Sequence, residues 1–176
     1  MVLYRRNRIA GATYFFTAAV ADRCSTILTD HIDQLRQALR ETMRQHPLQI
    51  DAMVVLPDHI HALWTLPGGD DDYSARWRRF KALFTRAVVP HRHGLARNAK
   101  GEWNVWQRRF WEHTIRDDLD FGRHADYIHF NPVKHGLVKH AAEWQHSTFH
   151  RFVSNGVYPM DWGGAEAPSM DGEFGE

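Results

Sequence analysis

The stretch LQIDAMVVLPDHIHALWTL, residues 48–66, sets two apolar runs on either side of a Pro57–Asp58 step. Runs of this length rich in Val, Ile and Leu, broken by a turn dipeptide, read as a hairpin of strands 48–56 and 59–66. Residues i and i+2 of a strand share a face, so His59 and His61 lie side by side while Ile60 turns into the core. Two imidazoles aimed the same way suit a divalent metal, which needs ligands held in place through their second ring nitrogen. They suit the wet face of an open sheet as well, and the pair alone does not decide between the two. The same spacing recurs in PHRHG, residues 90–94. There Arg92 separates His91 from His93, and Pro90 and Gly94 flank them, so a solvated or phosphate-touching loop is expected.

Outward from the hairpin, residues 12–20 form a preceding strand rich in Thr and aromatic residues. Ile32, Leu35, Leu39 and Met43 recur at helical intervals, with Thr29 or Asp30 as N-cap and Pro47 as the stop. A second helix over residues 73–89 places Trp77, Phe80, Phe84 and Ala87 on one side and ends before Pro90. Residues 105–115 read as a fourth strand, and a further helix starts near Asp117 or Asp118 and runs through Tyr127. This order predicts an α+β fold, a ferredoxin-like or RRM-like βαββαβ sandwich whose antiparallel sheet carries helices on one face, followed by a C-terminal helix. One domain is expected over residues 1–153, and an acidic, disordered tail over 154–176.

The 176 residues carry a formal net charge of +1, which conceals an asymmetry. Asp161, Glu166, Asp171, Glu173 and Glu176 crowd the last 16 residues without a base, leaving residues 1–160 with 22 basic and 16 acidic side chains. A basic body of this kind points to a polyanionic partner. A single cysteine, Cys24, excludes an intrachain disulfide and fits a reducing compartment, here the cytoplasm. Arg5, Arg6 and Arg8 ahead of IAGATYFFTAAVA imitate a signal peptide, but Gly11, Thr13 and Thr17 interrupt the run and the segment suits a strand better. No apolar run reaches the roughly 18 residues of a membrane span, so no membrane partner is expected.

The helix after Asp117 carries two stripes. Phe121, Ala125 and Ile128 form an apolar one, and Asp120, His124, Tyr127 and Asn131 a polar one. If the first packs down, the second lines a site, with the Tyr127 phenol beside the Asn131 amide. A tyrosine on a helix is more often a packing residue, and Pro132 and Gly136 in NPVKHG are expected to end the helix at Asn131. Taken in order and at their separations, PDHIHALW, VWQRRFWEHTIRDD and DYIHFNPVKHGLV resemble the REP-associated tyrosine transposases, a branch of the single-tyrosine HUH nucleases. The likeness spans residues 4–150; the acidic tail matches no motif of the family.

The resemblance implies a metal-dependent endonuclease and strand-transferase that cleaves single-stranded DNA hairpins of repetitive extragenic palindromes through a covalent 5′-phosphotyrosine. It implies Tyr127 as nucleophile, His59, His61 and Asn131 as ligands of Mg²⁺ or Mn²⁺, and a monomer, with exchange of the tyrosine helix between two subunits as the alternative. No general base stands out among Asp58, Glu112, His113, His124 and His129, each of which suits a structural role. Eleven of the 22 basic residues fall between Arg76 and Arg116 against two acids, interleaved with Trp103, Trp106, Phe110 and Trp111. Phosphate contacts with base stacking are expected there, from Arg76, Arg78, Arg79, Lys81, Arg108 and Arg109, and Arg5, Arg6 and Arg8 are expected at the foot of the hairpin. The alternatives are an RRM-like single-stranded nucleic-acid-binding module without cleavage, and a hydrolase in which Tyr127 is merely structural.

Overall fold

The computed structural model describes residues 7–91, 95–164 and Phe174. Its elements are β1 (Thr13–Ala19), α1 (Ile27–Asp30), α2 (Ile32–Gln45), β2 (Gln49–Val55), β3 (His59–Thr65), α3 (Tyr73–Val88), β4 (Trp111–Thr114), α4 (Asp118–Lys134) and α5 (Phe149–Ser154). The strands form one antiparallel sheet in the order β2-β3-β1-β4, the ferredoxin-like arrangement.

Alternation along the strands divides the sheet between two cores. Tyr14, Phe16 and Ala18 of β1 and Ile60, Ala62 and Trp64 of β3 point to α2 and α3, where Trp64 stacks on Trp77 with ring centroids 4.3 Å apart. Phe15, Ala52, Val54 and Leu63 point the other way, onto Ala125, Tyr127 and Ile128 of α4. The sheet is therefore covered on both faces, and β1 and β3 are buried almost throughout. Among the described residues no helix is long and apolar enough to cross a membrane.

Several local expectations need correction. The first helix is two pieces broken at His31, which caps α2 without a side-chain bond, so neither Thr29 nor Asp30 is its N-cap. The fourth strand covers only Trp111–Thr114 of the expected 105–115; residues 105 and 107 bond to the end of β1 through Ala21 N to Val105 O and Gln107 N to Ala19 O, while Arg108 and Arg109 stay exposed. Two adjacent charged side chains cannot both turn inward, so the strand is interrupted there.

Pro132 does not end α4 at Asn131. It lies inside the helix, which runs to Lys134. A proline one turn from a C-terminus removes a single intrahelical bond, a cost that burial of Ile128, Asn131 and Pro132 outweighs. The stop comes at Gly136, with φ +67°, where Leu137 N bonds Pro132 O and Gly136 N bonds Val133 O in a Schellman closure. The boundary expected at residue 153 falls inside α5. Beyond it, Tyr158 is buried and stacks on Trp162 with centroids 4.3 Å apart, so residues 155–164 belong to the packed body. Apart from Phe174, residues 165–176 lie outside the described residues, and the expectation of a disordered tail there with them.

Candidate active site

The hairpin delivers the histidines as alternation requires. His61 sits opposite Thr17 and His59 opposite Ala19 across the β1–β3 ladder, both fully buried on the face that α4 covers, while Ile60 enters the other core. The rings meet edge to face, with centroids 4.8 Å apart and planes at 82°, rather than in parallel.

Each imidazole is held through Nδ1. His59 Nδ1 donates to Asp58 Oδ1 at 2.7 Å, and Asp58 Oδ2 in turn accepts from Arg23 Nε at 2.6 Å. Burial alone would raise the Asp58 pKa; the hydrogen bond from His59, with the charge of Arg23 beside it, outweighs that and holds the carboxyl below its ordinary value. His61 Nδ1 lies 2.8 Å from Thr17 Oγ1. That hydroxyl gives its only proton to the Phe174 carbonyl, at 2.7 Å, so it accepts from His61. Both bonds place the ring proton on Nδ1 and fix the ring plane, the support that a ligating histidine would require.

Helix α4 brings the other half. Tyr127, one turn before Asn131, sets its ring 5.1 Å from that of His61 at 73°. His135, one turn after Asn131, sets its ring 5.2 Å from that of His59. Positions 127, 131 and 135 share a helix face, so Asn131, fully buried, falls between two contacts that each reach one histidine of the pair. Lys134 Nζ donates to the Tyr127 phenol oxygen at 3.1 Å and lies 4.8 Å from the ring centroid. The Tyr127 ring is also stacked by Phe174, with centroids 3.8 Å apart and planes 8° from parallel.

The polar stripe begins with a separate network. Asp120 Oδ2 accepts from His113 Nε2 at 2.8 Å and from the Arg116 side chain and backbone, and His124 stacks on His113. Burial would raise the Asp120 pKa, but the bonds from Arg116 and His113 dominate and hold it well below the ordinary carboxylate value. Atoms of His113, Asp120 and His124 come close enough to hold an ion. The carboxylate, however, already serves Arg116 and His113, and His124 Nδ1 donates to the Asp120 carbonyl at 2.7 Å. This network clamps β4 to the first turn of α4, and so sets the register of Tyr127. Of the other candidate bases, Glu112 approaches Tyr73 Oη at 3.5 Å, and His129 bonds Thr148 at 2.8 Å, away from the histidine pair.

The expected DNA contacts separate. Arg76 is fully buried, bonding Asp70 Oδ2 at 2.7 Å, Pro47 O at 2.6 Å and Asp72 O at 3.0 Å. Its guanidinium is spent inside the fold and does not face a phosphate; a base inside a helix reads the same from sequence whether it points in or out. Arg79 faces Glu41 of α2 at 3.5 Å. Arg78, Lys81 and Arg108 line one cleft and Arg109 another. Arg8 pairs with Asp71 and Asp72 and bonds Ser74 at the start of α3; Arg5 and Arg6 lie outside the described residues. Thr17, Arg23, Lys134, His135 and Phe174 were not singled out by sequence reasoning. Only the i+4 spacing of His135 from Asn131 signals any of them in the sequence.

No protein-family model matches the chain. The REP-associated tyrosine transposase of Escherichia coli K12 is 48% identical over 170 residues, 97% of this chain and 96% of the relative. A Haemophilus influenzae relative carrying the same family description is 45% identical over 173 residues, 97% of this chain and 98% of that one. A solved structure of a REP-associated tyrosine transposase bound to a REP hairpin superposes with a TM-score of 0.86 at 47% identity, covering 100% of this chain and 98% of the other. With near-complete coverage at this identity and the same fold, the chain belongs to the REP-associated tyrosine transposases.

Proposed function

We propose that the chain is a metal-dependent single-stranded DNA endonuclease and strand-transferase acting on hairpins of the REP type, with Tyr127 as nucleophile. The observation that carries this is the seating of Tyr127, Asn131 and His135 along one face of α4 against two imidazoles whose Nδ1 atoms are both held. The REP hairpin bound by the solved relative supports the substrate class. Helix α4 packs on β2 and β3 of its own chain and brings the residues of the proposed site together there, which supports action as a monomer.

Nε2 of His59, Nε2 of His61 and the Asn131 amide oxygen form a mixed imidazole and carbonyl set that would hold a divalent ion; the set does not itself select against zinc, and Mg²⁺ or Mn²⁺ is the ion that availability and the family favour. When bound, such an ion stabilises charge on the scissile phosphate and aligns it for in-line attack. Tyr127 Oη bonds to phosphorus as the phosphorus–O3′ bond breaks; the phenol loses its proton and the departing 3′ oxygen takes one up. Attack by another 3′-hydroxyl reverses the step, re-forms a phosphodiester and releases Tyr127. Lys134, donating to the phenol oxygen, orients it and offsets the negative charge it carries on entering and leaving.

Incubation with a 5′-labelled, single-stranded hairpin and Mg²⁺ or Mn²⁺ tests the reading, with a second label 3′ of the cleavage point. A denaturant-resistant adduct on the 3′ fragment, lost in Tyr127→Phe and on chelation, is expected. Cleavage that survives in Tyr127→Phe would mean a hydrolase, and binding without cleavage would mean a recognition module.

A further inference from the structure

Two clefts take no part in the chemistry above. The larger, of about 770 Å³, opens between α3 and residues 98–110. Trp103 and Trp106 form part of its wall, together with Arg78, Lys81, Arg86 and Arg108. Glu102 is the one acid among its lining residues, and it accepts from Asn98 at 3.0 Å. Cations already lie over the indoles: Lys81 Nζ is 5.3 Å from the Trp106 ring, and the Arg97 guanidinium is 4.3 Å from that of Trp103. The volume falls within the range of roughly 300–1,000 Å³ that holds a small molecule or a nucleotide.

The smaller cleft, of about 370 Å³, is lined by Thr17, Arg23 and Arg109 and shares Gln107 and Phe110 with the larger. Thr17 is the residue that fixes His61, and Arg23 the one that holds Asp58. The clefts adjoin at Gln107 and Phe110, and together would give a basic path around the β4 edge, from Thr17 on the histidine face to the two tryptophans on the α3 face.

We propose that this path carries the unpaired strand flanking the scissile phosphate, and that the Trp103–Trp106 cleft takes one of its bases, unstacked from its neighbours. The inference rests on the reading of the chain as a single-strand nuclease and adds where the strand runs and what fixes it. Four basic side chains against one acid select the phosphates; flat indoles select bases without regard to sequence, because every base has a π face. The interruption at Arg108 and Arg109 acquires a purpose on this account, since a continued strand would close the path.

The test uses the full chain carrying Tyr127→Phe, without metal, and hairpins with and without a single-stranded flank. In fluorescence anisotropy, Trp103→Ala and Arg78→Ala should each weaken binding of the flanked hairpin about tenfold and leave the unflanked one unchanged. Trp103→Tyr should restore most of the loss, and Arg78→Ala should lower the slope of log affinity against log salt by about one. Arg44→Ala, an exposed cation on α2 outside the path, serves as the control. Scanning 2-aminopurine through the flank should reveal one position that is quenched by wild type and released by Trp103→Ala. Equal losses for flanked and unflanked hairpins, or no quenched position, would overturn the proposal. An absent Tyr127 adduct in the otherwise unaltered enzyme would instead overturn the nuclease reading.

Discussion

Replacing Asp58 by alanine isolates the support of one imidazole. The carboxylate holds His59 Nδ1 at 2.7 Å and is itself held by Arg23 at 2.6 Å. The backbone contribution of residue 58 survives the change, because its carbonyl accepts from Val20 N at 2.8 Å whatever the side chain. What is lost is the acceptor that keeps the proton on Nδ1 and the ring in its plane. Loss of such a partner weakens metal binding about 10- to 100-fold, or about 1.4–2.8 kcal/mol. Adduct formation on a labelled hairpin, followed against Mn²⁺ or Mg²⁺ concentration, should show a half-saturating concentration raised by that factor, with the rate at saturating metal within about threefold of wild type. Arg23→Ala should follow in the same direction but by less than about threefold, since its guanidinium is 44% exposed and water replaces it in part. An unchanged half-saturating concentration would refute the role given to the Asp58–His59 pair. A rate that stays low at saturating metal would show that Asp58 moves a proton in the reaction instead of positioning a ligand.

Three further outcomes follow. Arg76→Ala should cost about 3 kcal/mol of folding stability in urea titration, because the Asp70 carboxylate and the Pro47 carbonyl lose their donor, while the salt dependence of DNA binding stays as in wild type. His129 has its pKa pushed down to about 3, first by burial and then by Arg151. The unfolded chain therefore takes up a proton below about pH 6.5 that the folded chain refuses until about pH 3, so stability falls as pH falls through that window. The residue's share should be about 2 kcal/mol between pH 7 and pH 5, seen as a shallower acid limb in His129→Gln. Phe174→Ala removes the ring stacked on Tyr127 and should speed adduct formation about two- to tenfold; an unchanged rate would mean that this stack does not compete with substrate.

The parts of the fold and site legible in the sequence are those governed by short periods. Strand alternation places His59 and His61 on one face and Ile60 on the other, and helical spacing places Tyr127 and Asn131 one turn apart; both follow from local geometry. Asp72 and Asp117, which accept from Ala75 N and Asp120 N, mark the starts of α3 and α4 in the same way. Pro132 misleads because a local rule about one missing amide gives way to burial of the whole turn. Arg76 misleads because sequence records a charge but not the three acceptors awaiting it inside the fold.

The supporting residues of the site were invisible for another reason: they come from distant points of the chain. Thr17 meets His61 across 44 positions and Arg23 meets Asp58 across the β1–β3 connection, so no window of sequence contains either pair. The sheet order makes these meetings unavoidable. With β1 beside both β3 and β4, the side chains of β1 that face α4 must touch the paired histidines on one side and the clamp around Asp120 on the other. Phe15 does so, with its ring 5.6 Å from His61 and 4.7 Å from His124. A large-to-small change there, Phe15→Ala, should therefore disturb both ends of the site at once. It should raise the half-saturating metal concentration and slow the rate at saturation together, where Asp58→Ala moves only the first. A Phe15→Leu variant, which keeps the volume nearly whole, should lose much less of both. If Phe15→Ala folds and shows only the metal defect, the central strand does not couple the two halves.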